Sequence, residues 1–249
     1  MSAFLSTVPF YARYREPYPA SFFEALAKEL GLSGRERLLD VGCGPAQLAI
    51  GFAPFAAECT CVDPEGAMLA EARSAASRAN IDIEFIQSRV EDLPEDVAQF
   101  DVVTIGRAIH WIERERALPI LERIVCLGGA IVECGCRPVH EDCNPWLLAY
   151  RDAWQKYVPD FSESRYHPDL NLWFAGSRFA KTKEVAVRES HVISVDDLVG
   201  RALSFSMTSP ERLGNQRAQF ESGLREALQP FATDGQMTEE LIALAAVMR

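Results

Sequence analysis

The sequence predicts a doubly wound α/β fold whose sheet is mostly parallel. Between residues 37 and 134, short apolar segments alternate with segments of helix-forming composition. Such alternation is typical of right-handed βαβ units around a parallel sheet. The apolar segments do not alternate strictly with polar residues, as expected for strands that are covered on both faces. Glycines at 42, 44 and 106 follow two of these segments directly and predict turns at the ends of strands.

The elements of the first part of the chain follow in order. An irregular segment is predicted over residues 11–19, and a helix from Ser21, an N-cap by residue type, to Leu30 before Gly31. Strands are predicted over residues 37–41, 59–63, 83–86, 100–105 and 130–134. Helices are predicted over residues 46–57, 64–79 and 111–125, with a turn at 91–94. Pro119 should kink the last of these helices or delay its start.

The pattern changes after Cys136. The segments predicted there are a helix over 144–158, an irregular stretch over 159–176, an antiparallel strand over 184–195, a helix from Asp196 and an amphipathic helix over 210–228. Residues 241–248 fit a strand or a helix. We therefore expect a core over residues 1–136, a helical cap inserted over 137–183, and a segment over 184–249 that completes the sheet with a late antiparallel strand and C-terminal helices.

Composition narrows the classes of partner. The 249 residues include 36 Asp and Glu against 25 Lys and Arg, a formal net charge of −11. This balance counts against broad binding to nucleic acid or to anionic membranes, which requires surplus positive charge. The N-terminal residues lack the pattern of a secretory signal, and no stretch reaches the ~20 apolar residues of a membrane span. We expect a cytoplasmic protein without nucleic-acid or membrane partners, and the oligomeric state stays open.

The cysteines predict neither a disulfide framework nor a metal site. Their number, seven, is odd in a long chain, which is a poor basis for disulfides. The pairs Cys59–Cys61 and Cys134–Cys136 have one residue between them, whereas zinc ligands are usually two to four residues apart across a turn. We expect buried thiols that act as small apolar residues.

Two acids and two glycines at strand ends point to a nucleotide cofactor. Asp40 lies near the end of the first predicted strand, and Gly42 and Gly44 follow it. Asp63 ends the second strand, where a carboxylate can accept hydrogen bonds from both ribose hydroxyls. A plain βα turn with a surface acid is the alternative. In open α/β sheets, ligands bind beyond the carboxyl ends of the strands.

The turn favours S-adenosylmethionine over a dinucleotide. The dinucleotide fingerprint requires a third glycine, and Gln47 stands at that position. Asp40 precedes the turn, and a carboxylate suits a ligand with an amino group and a sulfonium better than one with a pyrophosphate. Two alternatives remain. One is a different class of enzyme, an NAD-type oxidoreductase, and the other is a protein that binds S-adenosylmethionine without catalysing a reaction.

At these residues the sequence resembles the class I S-adenosylmethionine-dependent methyltransferases, in particular the small-molecule group called type 11. The resemblance lies in the order and spacing of residues 39–44, 62–63, 89–94, 100–106 and 127–132. Ala46 stands at the usual third turn glycine, and Arg89 stands where the family often has Asp. The resemblance covers residues 11–134 well and implies a Rossmann-like sheet and methyl transfer from S-adenosylmethionine.

The resemblance also implies which residues bind the cofactor. Asp40 lies near the amino group of its methionine part, Asp63 at its ribose, and the carbonyl of Gly106 faces the amino group. Four residues surround the adenine: Pro64, Met68, Val90 and Glu91. The full set is Asp40, Gly42, Cys43, Gly44, Asp63, Pro64, Met68, Val90, Glu91, Gly106 and Arg107.

The loop after the fourth strand is one candidate for the substrate side. His110 is the candidate general base, since the pKa of histidine lies near operating pH. The alternative is a hydrogen-bonded residue that orients the loop. Trp111 can pack against a substrate or against the sulfonium.

Residues 11–18 are the other candidate, because they resemble the N-terminal lid of the same family. Arg13 or Arg15 can pair with a carboxylate of cofactor or substrate, and Tyr14 and Tyr18 can close over the methyl group. A packed N-terminal arm is the alternative. Trp146 is by type more often a core residue, although its position suits a cap. The substrate-side candidates are Tyr14, Arg15, Tyr18, His110, Trp111 and Trp146.

Overall fold

Seven strands form one sheet in the computed structural model, which describes residues 6–158 and 168–249 of the chain. Their bounds are β1 (Arg37–Val41), β2 (Glu58–Asp63), β3 (Glu84–Gln87), β4 (Phe100–Gly106), β5 (Val125–Pro138), β6 (Lys181–Ser194) and β7 (Gln236–Met248). Their order across the sheet is β3-β2-β1-β4-β5-β7-β6. The order reverses between β1 and β4, which is the switch point where ligands bind in such sheets.

Strand β1 lies at the centre of the parallel part. It pairs in parallel with β2 on one side and β4 on the other, and Asp40 is level with Cys61 and with Thr104. Residues 38–41 are all buried, as the unbroken apolar pattern predicts. Parallel strands end at one edge of a sheet, so the residues after β1, β2 and β4 lie close together.

A late antiparallel strand is present as predicted, but it is β7 (Gln236–Met248) and not the segment 184–195 to which the sequence pattern assigned it. Val139, just after β5, donates a backbone hydrogen bond to Glu240 near the start of β7. Ala180 and Arg249 exchange two backbone hydrogen bonds where β6 begins and β7 has ended. The end of β5 therefore lies beside the start of β7, and the end of β7 lies beside the start of β6. Strand β7 runs antiparallel to both β5 and β6. Residues 241–248, left open between strand and helix, belong to this strand.

The helices have the following bounds: α1 (Val8–Tyr14), α2 (Ala20–Leu30), α3 (Gln47–Phe52), α4 (Gly66–Ala79), α5 (Arg114–Ile124), α6 (Leu147–Gln155), α7 (Leu170–Trp173), α8 (Val195–Leu203), α9 (Pro210–Leu213) and α10 (Arg217–Leu228). Gly31 adopts a left-handed conformation, with a φ of 72°, and ends α2 as predicted. Helix α5 starts at Arg114, later than the predicted residue 111. Pro119 lies inside this helix, which continues through the proline.

Two predictions about helices are wrong. Residues 8–14 form α1, so the irregular segment predicted over 11–19 begins only at Arg15. The single helix predicted over 210–228 is broken at Gly214, where a φ of 49° ends α9 and a 3-10 turn leads to α10. Glycine adopts this conformation without steric cost. Of the irregular stretch predicted over 159–176, residues 159–167 lie outside the described ranges, and Leu170–Trp173 is helical.

The chain divides into two compact units. The α8 unit comprises Met1–Pro17, Cys136–Ser162 and Arg188–Ile242, and the core unit comprises Tyr18–Gly135, Glu163–Val187 and Ala243–Arg249. Each has its own apolar cluster. No helix in the described part of the chain has the length and apolarity to cross a membrane. The division into a core, a cap and a completing segment stays a prediction.

A buried ion pair lies in the α8 unit. The guanidinium of Arg201 in α8 donates to both carboxylate oxygens of Glu239 in β7, at 2.5 and 2.8 Å. Its Nε also donates to the carbonyl of Tyr14 at 3.1 Å and lies 3.7 Å from the carboxylate of Glu16. Arg201 and Glu239 are 3% and 0% exposed. The two charges therefore depend on each other, since an unpaired charge is costly in the interior.

Candidate cofactor and substrate site

The turn after β1 has the tight backbone that its glycines predict. The φ angles are 64° at Gly42 and 51° at Gly44, a region that glycine enters freely. The N–H groups of Gly42 and Cys43 both donate to the carbonyl of Val62, at 2.8 and 3.1 Å. These bonds fix the turn against the end of β2.

Ala46 adopts the same left-handed conformation at the third position, with a φ of 62°. A Cβ atom in this conformation crowds the following carbonyl, at a cost of roughly 1–2 kcal/mol. Ala46 is fully buried. Ala46 therefore adopts the backbone geometry of the family's third turn glycine, and it is strained in that conformation.

The loop after β4 packs directly on this turn. A Cβ atom added to Gly42 would lie 2.6 Å from the Cβ of Ala108, and one added to Gly106 would lie 2.7 Å from Cδ1 of Leu48. Neither position has room for a side chain without movement of its neighbour. Because neither glycine has a side chain, the ends of β1 and β4 can lie in contact. Both glycines are among the predicted cofactor-binding residues.

Backbone groups hold the carboxylate of Asp63 in one orientation. Gly44 donates to Oδ2 and Glu65 donates to Oδ1, both at 2.9 Å. The side chain is buried, and burial raises its pKa, while the two N–H donors oppose that rise. Each carboxylate oxygen has a further lone pair, so the group can still accept hydrogen bonds from two neighbouring hydroxyls.

Asp40 lies beneath the turn. It is 1% exposed, and its oxygens accept from the hydroxyl of Thr104 at 2.8 Å and from the N–H of Ala49 at 3.3 Å. Burial raises the pKa of Asp40 to about 7. A cationic group nearby would lower that pKa and favour the carboxylate. The expected interaction of Asp40 with an amino group stays a prediction.

The four predicted adenine neighbours follow β2 and β3. Met68 and Val90 are buried at 4% and 3% exposure, and Pro64 is exposed at the start of the turn before α4. Glu91 is buried, and its carboxylate accepts a hydrogen bond from the backbone of Glu113 at 2.8 Å. The apolar groups suit an aromatic base, and Glu91 connects this region to the start of α5.

Arg89 is directed into an ion-pair cluster. Its guanidinium lies 3.2 Å from the carboxylate of Glu91 and 3.1 Å from that of Glu113. Hydrogen bonds from Arg89 and from the backbone of Glu113 lower the pKa of Glu91, although its burial works in the opposite direction. Arg89 therefore replaces the acid usual in the family with a cation that holds Glu91 ionised.

Arg107 follows Gly106 and has an unusual backbone. Its φ is 55°, and its N–H donates to the carbonyl of Cys134 in β5 at 3.1 Å. The guanidinium lies over the ring of Tyr18, 4.8 Å from its centroid, and donates to the side-chain oxygen of Gln47 at 3.4 Å. Residues from three separate segments thus meet beside Gly106.

His110 and Trp111 lie in the 3-10 turn Ile109–Trp111 that follows β4. The two ring centroids are 5.0 Å apart at a tilt of 46°. Trp111 is 47% exposed, and His110 is partly buried. The pair lies at the carboxyl end of the sheet, where the sequence predicts the substrate side.

The remaining substrate-side candidates, Tyr14, Arg15 and Trp146, belong to the α8 unit. Trp146 is 1% exposed, and its indole donates to the carbonyl of Thr238 at 3.2 Å. The guanidinium of Arg15 lies over the ring of Phe205, 4.0 Å from its centroid. Within this unit Trp146 is a core residue, which is the alternative that its residue type favoured.

Two polar residues of the inner strands were not predicted from the sequence. Thr104 holds the carboxyl of Asp40 through its hydroxyl. Glu133 lies in β5 beside Ile105 of β4, and burial alone raises its pKa to about 7. The available signal was the same in both cases, a polar residue inside an otherwise apolar strand.

The thiols are mostly buried, as predicted. Five of the seven cysteines are buried, whereas Cys126 is partly exposed and Cys143 is exposed, so the expectation is wrong for these two. The hydrogen bond that the Cys61 thiol donates to Cys43 and the burial of Cys61 both raise the pKa of Cys61 far above its usual range, which makes that thiol unreactive. No group of three or more His, Cys, Asp or Glu within residues 6–158 and 168–249 is arranged to hold a metal ion.

Comparison with known proteins identifies the class of domain. Residues 38–129 match the family model of the methyltransferase domain. Over 131 residues the chain is 31% identical to malonyl-[acyl-carrier protein] O-methyltransferase of Enterobacter lignolyticus, a match that covers 52% of this chain and 50% of that one. The chain spans half or less of the length of the first curated relatives that it matches.

Solved structures share the fold. A protein of Anaeromyxobacter dehalogenans assigned to the type II methyltransferases is 21% identical, with a TM-score of 0.65 and coverage of 94% of this chain and 97% of that one. An S-adenosylmethionine-dependent methyltransferase of Thiobacillus denitrificans, crystallised with S-adenosylhomocysteine, is 15% identical, with a TM-score of 0.56 and coverage of 100% and 98%. This likeness confirms the predicted Rossmann-like sheet.

Together, the fold, the site and the match of residues 38–129 indicate a methyltransferase domain of the class that uses S-adenosylmethionine. The match covers residues 38–129, and the class that it indicates uses S-adenosylmethionine as its cofactor. The residues suit this molecule. Asp63 offers an oriented carboxylate to a ribose, and the carboxyl of Asp40 beneath the turn suits a cationic cofactor better than a pyrophosphate.

Proposed function

We propose that the protein transfers a methyl group from S-adenosylmethionine to a small-molecule acceptor. The observation that carries the proposal is the carboxylate of Asp63, fixed by the N–H groups of Gly44 and Glu65 beside the turn after β1. The net charge of −11 supports a small acceptor over a nucleic acid.

Methyl transfer requires little from the protein beyond the positioning of the reactants. Methyl transfer is a displacement at a carbon that the sulfonium group already activates, so the protein supplies proximity, orientation and exclusion of water. In this proposal the turn at Gly42 and the contact of that turn with Ala108 position the cofactor. The loop after β4 positions the acceptor.

His110 is the proposed general base for acceptors that must lose a proton. It lies in the first turn after β4, and a histidine can accept a proton near neutral pH. The alternative, that His110 only orients the loop, predicts the same loss of activity in H110A. The two roles differ in H110N, which keeps hydrogen bonding but cannot act as a base.

A methyl-transfer screen tests the proposed function. S-Adenosylmethionine with a radiolabelled methyl group is incubated with the protein and with carboxylic acids, phenols and amines, since one relative is by name an O-methyltransferase. We expect transfer to at least one acceptor and its loss in D63N. Cofactor binding without transfer to any acceptor would instead indicate a noncatalytic binder, and binding of NADH in place of S-adenosylhomocysteine would indicate an oxidoreductase.

Three broader expectations belong to this proposal. They are a cytoplasmic location, the absence of nucleic-acid partners, and the division into a core over 1–136, a cap over 137–183 and a completing segment over 184–249. The acidic composition supports the second of these. Cell fractionation and a gel-shift assay with DNA and RNA check them.

A further inference from the structure

Strand β6 is the last strand at one edge of the sheet. The order ends β5-β7-β6, so β7 pairs with one side of β6, and no strand in the described part of the chain pairs with the other side. The backbone N–H and C=O groups along such an edge can pair with a further strand. With 14 residues, β6 is longer than most strands, so it offers a long edge.

The middle of β6 is open to solvent. Between Lys183 and Glu189, five side chains are exposed, and only Val185 and Val187 are half-buried. A helix or loop that covered the edge would bury such side chains. Charged residues on an edge can also prevent pairing, so the arrangement of the charges decides which role they have.

The charges of β6 are arranged so that the strand complements itself. Counted outward from Ala186, Glu184 lies at the same distance as Arg188, and Lys183 at the same distance as Glu189. Two antiparallel copies centred on Ala186 therefore place a cation opposite an acid at four positions. Opposite charges across two antiparallel strands stabilise the pairing, and like charges directly opposite destabilise it.

Other registers lose these pairs. Pairing centred on Val187 would place Glu184 opposite Ser190, and it would place Arg188 opposite Ala186. A parallel arrangement in register would place each charge opposite the same charge of the second copy. The pattern therefore favours one direction and one register.

Existing ion pairs on β6 leave its charges able to change partners. Lys181 lies 2.5 Å from the carboxylate of Glu184, and Lys183 lies 3.8 Å from that of Glu29. Glu184 and Lys183 are exposed, and exposed pairs contribute little to stability. Exchange of these contacts for pairs with a second copy therefore costs little.

We propose that two copies of this chain form a dimer in which their β6 strands pair antiparallel, centred on Ala186. Val185 of each copy then lies opposite Val187 of the other, between the charged pairs on either side. The two sheets of seven strands join into one. The inference is independent of methyl transfer, because three strands separate β6 from β1 in the sheet.

Sedimentation velocity over a series of chain concentrations tests the dimer. One pair of strands is smaller than a standard interface, so we expect a dissociation constant of roughly 1–100 µM. R188E places an acid opposite Glu184 of the second copy, twice per dimer, and should weaken association by about 10- to 100-fold. E184R should weaken it similarly. The double variant E184R/R188E exchanges the signs of the pair and should restore the dimer.

Two further measurements separate the interface from general effects. R78E is the matched control, because it makes the same change of net charge at an exposed arginine of α4, and it should associate like wild type. Thermal melting establishes that each variant folds. The backbone amides of residues 183–189 should exchange hydrogen more slowly at high chain concentration in wild type, but not in R188E.

Three results would overturn the proposal. A wild-type protein that sediments as one chain at every concentration would show that the charges of β6 only protect the edge. A dimer that R188E leaves intact would be formed by another surface. Failure of E184R/R188E to recover the association that each single variant loses would show that Glu184 and Arg188 do not face each other across the interface.

Discussion

Ala46 shows how a single residue departs from the usual pattern and keeps its geometry. Its φ of 62° places a Cβ atom where glycine has none, and the backbone still makes the turn, with Ala46 N donating to the carbonyl of Cys43 at 2.9 Å. The departure from the family pattern therefore costs stability and leaves the course of the turn unchanged.

A46G should stabilise the protein. Relief of the left-handed strain should stabilise the folded protein by roughly 1–2 kcal/mol. The greater conformational freedom of glycine in the unfolded chain should offset about 0.5–1 kcal/mol of this gain. We expect the free energy of unfolding to rise by about 0.5–1 kcal/mol in urea denaturation. A49G is the control, since Ala49 is in α3 and equally buried, and it should lower the free energy of unfolding. A decrease in A46G as well would show that Ala46 is unstrained.

The sequence predicted the residues of the site better than their partners. Asp40, Gly42, Gly44 and Asp63 could be placed because each follows or ends a strand, and such positions share one edge of the sheet. The ion pairs of Arg89 could not be predicted, because they depend on where the start of α5 lies relative to β3. A linear pattern carries no information about contacts of that kind.

The pair Arg201–Glu239 connects two elements, α8 and β7, through a contact that no pattern in the sequence indicates. Arg201 was expected to lie in a helix and Glu239 was not placed at all, so their bidentate contact appears only once both elements are packed. The strands of the core could be predicted from their apolar runs. The break at Gly214 could not, since a glycine inside an amphipathic pattern is compatible with a continuous helix.

R201M should strongly destabilise the protein, because it removes the arginine that pairs with the buried carboxylate of Glu239, whose remaining neighbour is the imidazole of His191 at 3.1 Å. We expect a loss of about 3–5 kcal/mol in the free energy of unfolding, measured in urea. The double variant R201M/E239M should recover most of that loss. In contrast, R225M removes the exposed pair with Asp196 and should cost less than about 1 kcal/mol. Equal effects of R201M and R225M would contradict the assigned role of the buried pair.

The whole molecule should lose stability as pH rises from about 5 to 8. Burial raises the pKa values of Asp40 and Glu133 to about 7, so the folded protein retains two protons that the unfolded chain has released. For a carboxyl whose pKa is raised on folding, the stabilising contribution is complete below its unfolded pKa and is lost as pH passes through the folded value. Glu36 is the opposite case, because its pKa falls to about 2 in the folded protein. Its ionised carboxylate therefore stabilises the folded protein above pH ~4.

E133Q should flatten this dependence. The pKa change of Glu133 corresponds to roughly 3 kcal/mol at most between pH 5 and pH 8, and glutamine cannot ionise. Urea denaturation at pH 5, 6, 7 and 8 measures the slope. E95Q, at an exposed glutamate, should retain the slope of wild type. If E133Q retains it as well, Glu133 is already ionised in the folded protein at pH 5.

The ends of β1, β2 and β4 are expected to hold S-adenosylmethionine, with Asp63 on its ribose. Titration calorimetry with S-adenosylhomocysteine measures this binding. Wild type should bind one molecule per chain. D63N should bind about tenfold more weakly or worse, since a charge-assisted hydrogen bond is lost, and D82N, at an exposed aspartate, should match wild type. No binding to wild type, or equal binding to wild type and D63N, would contradict the account.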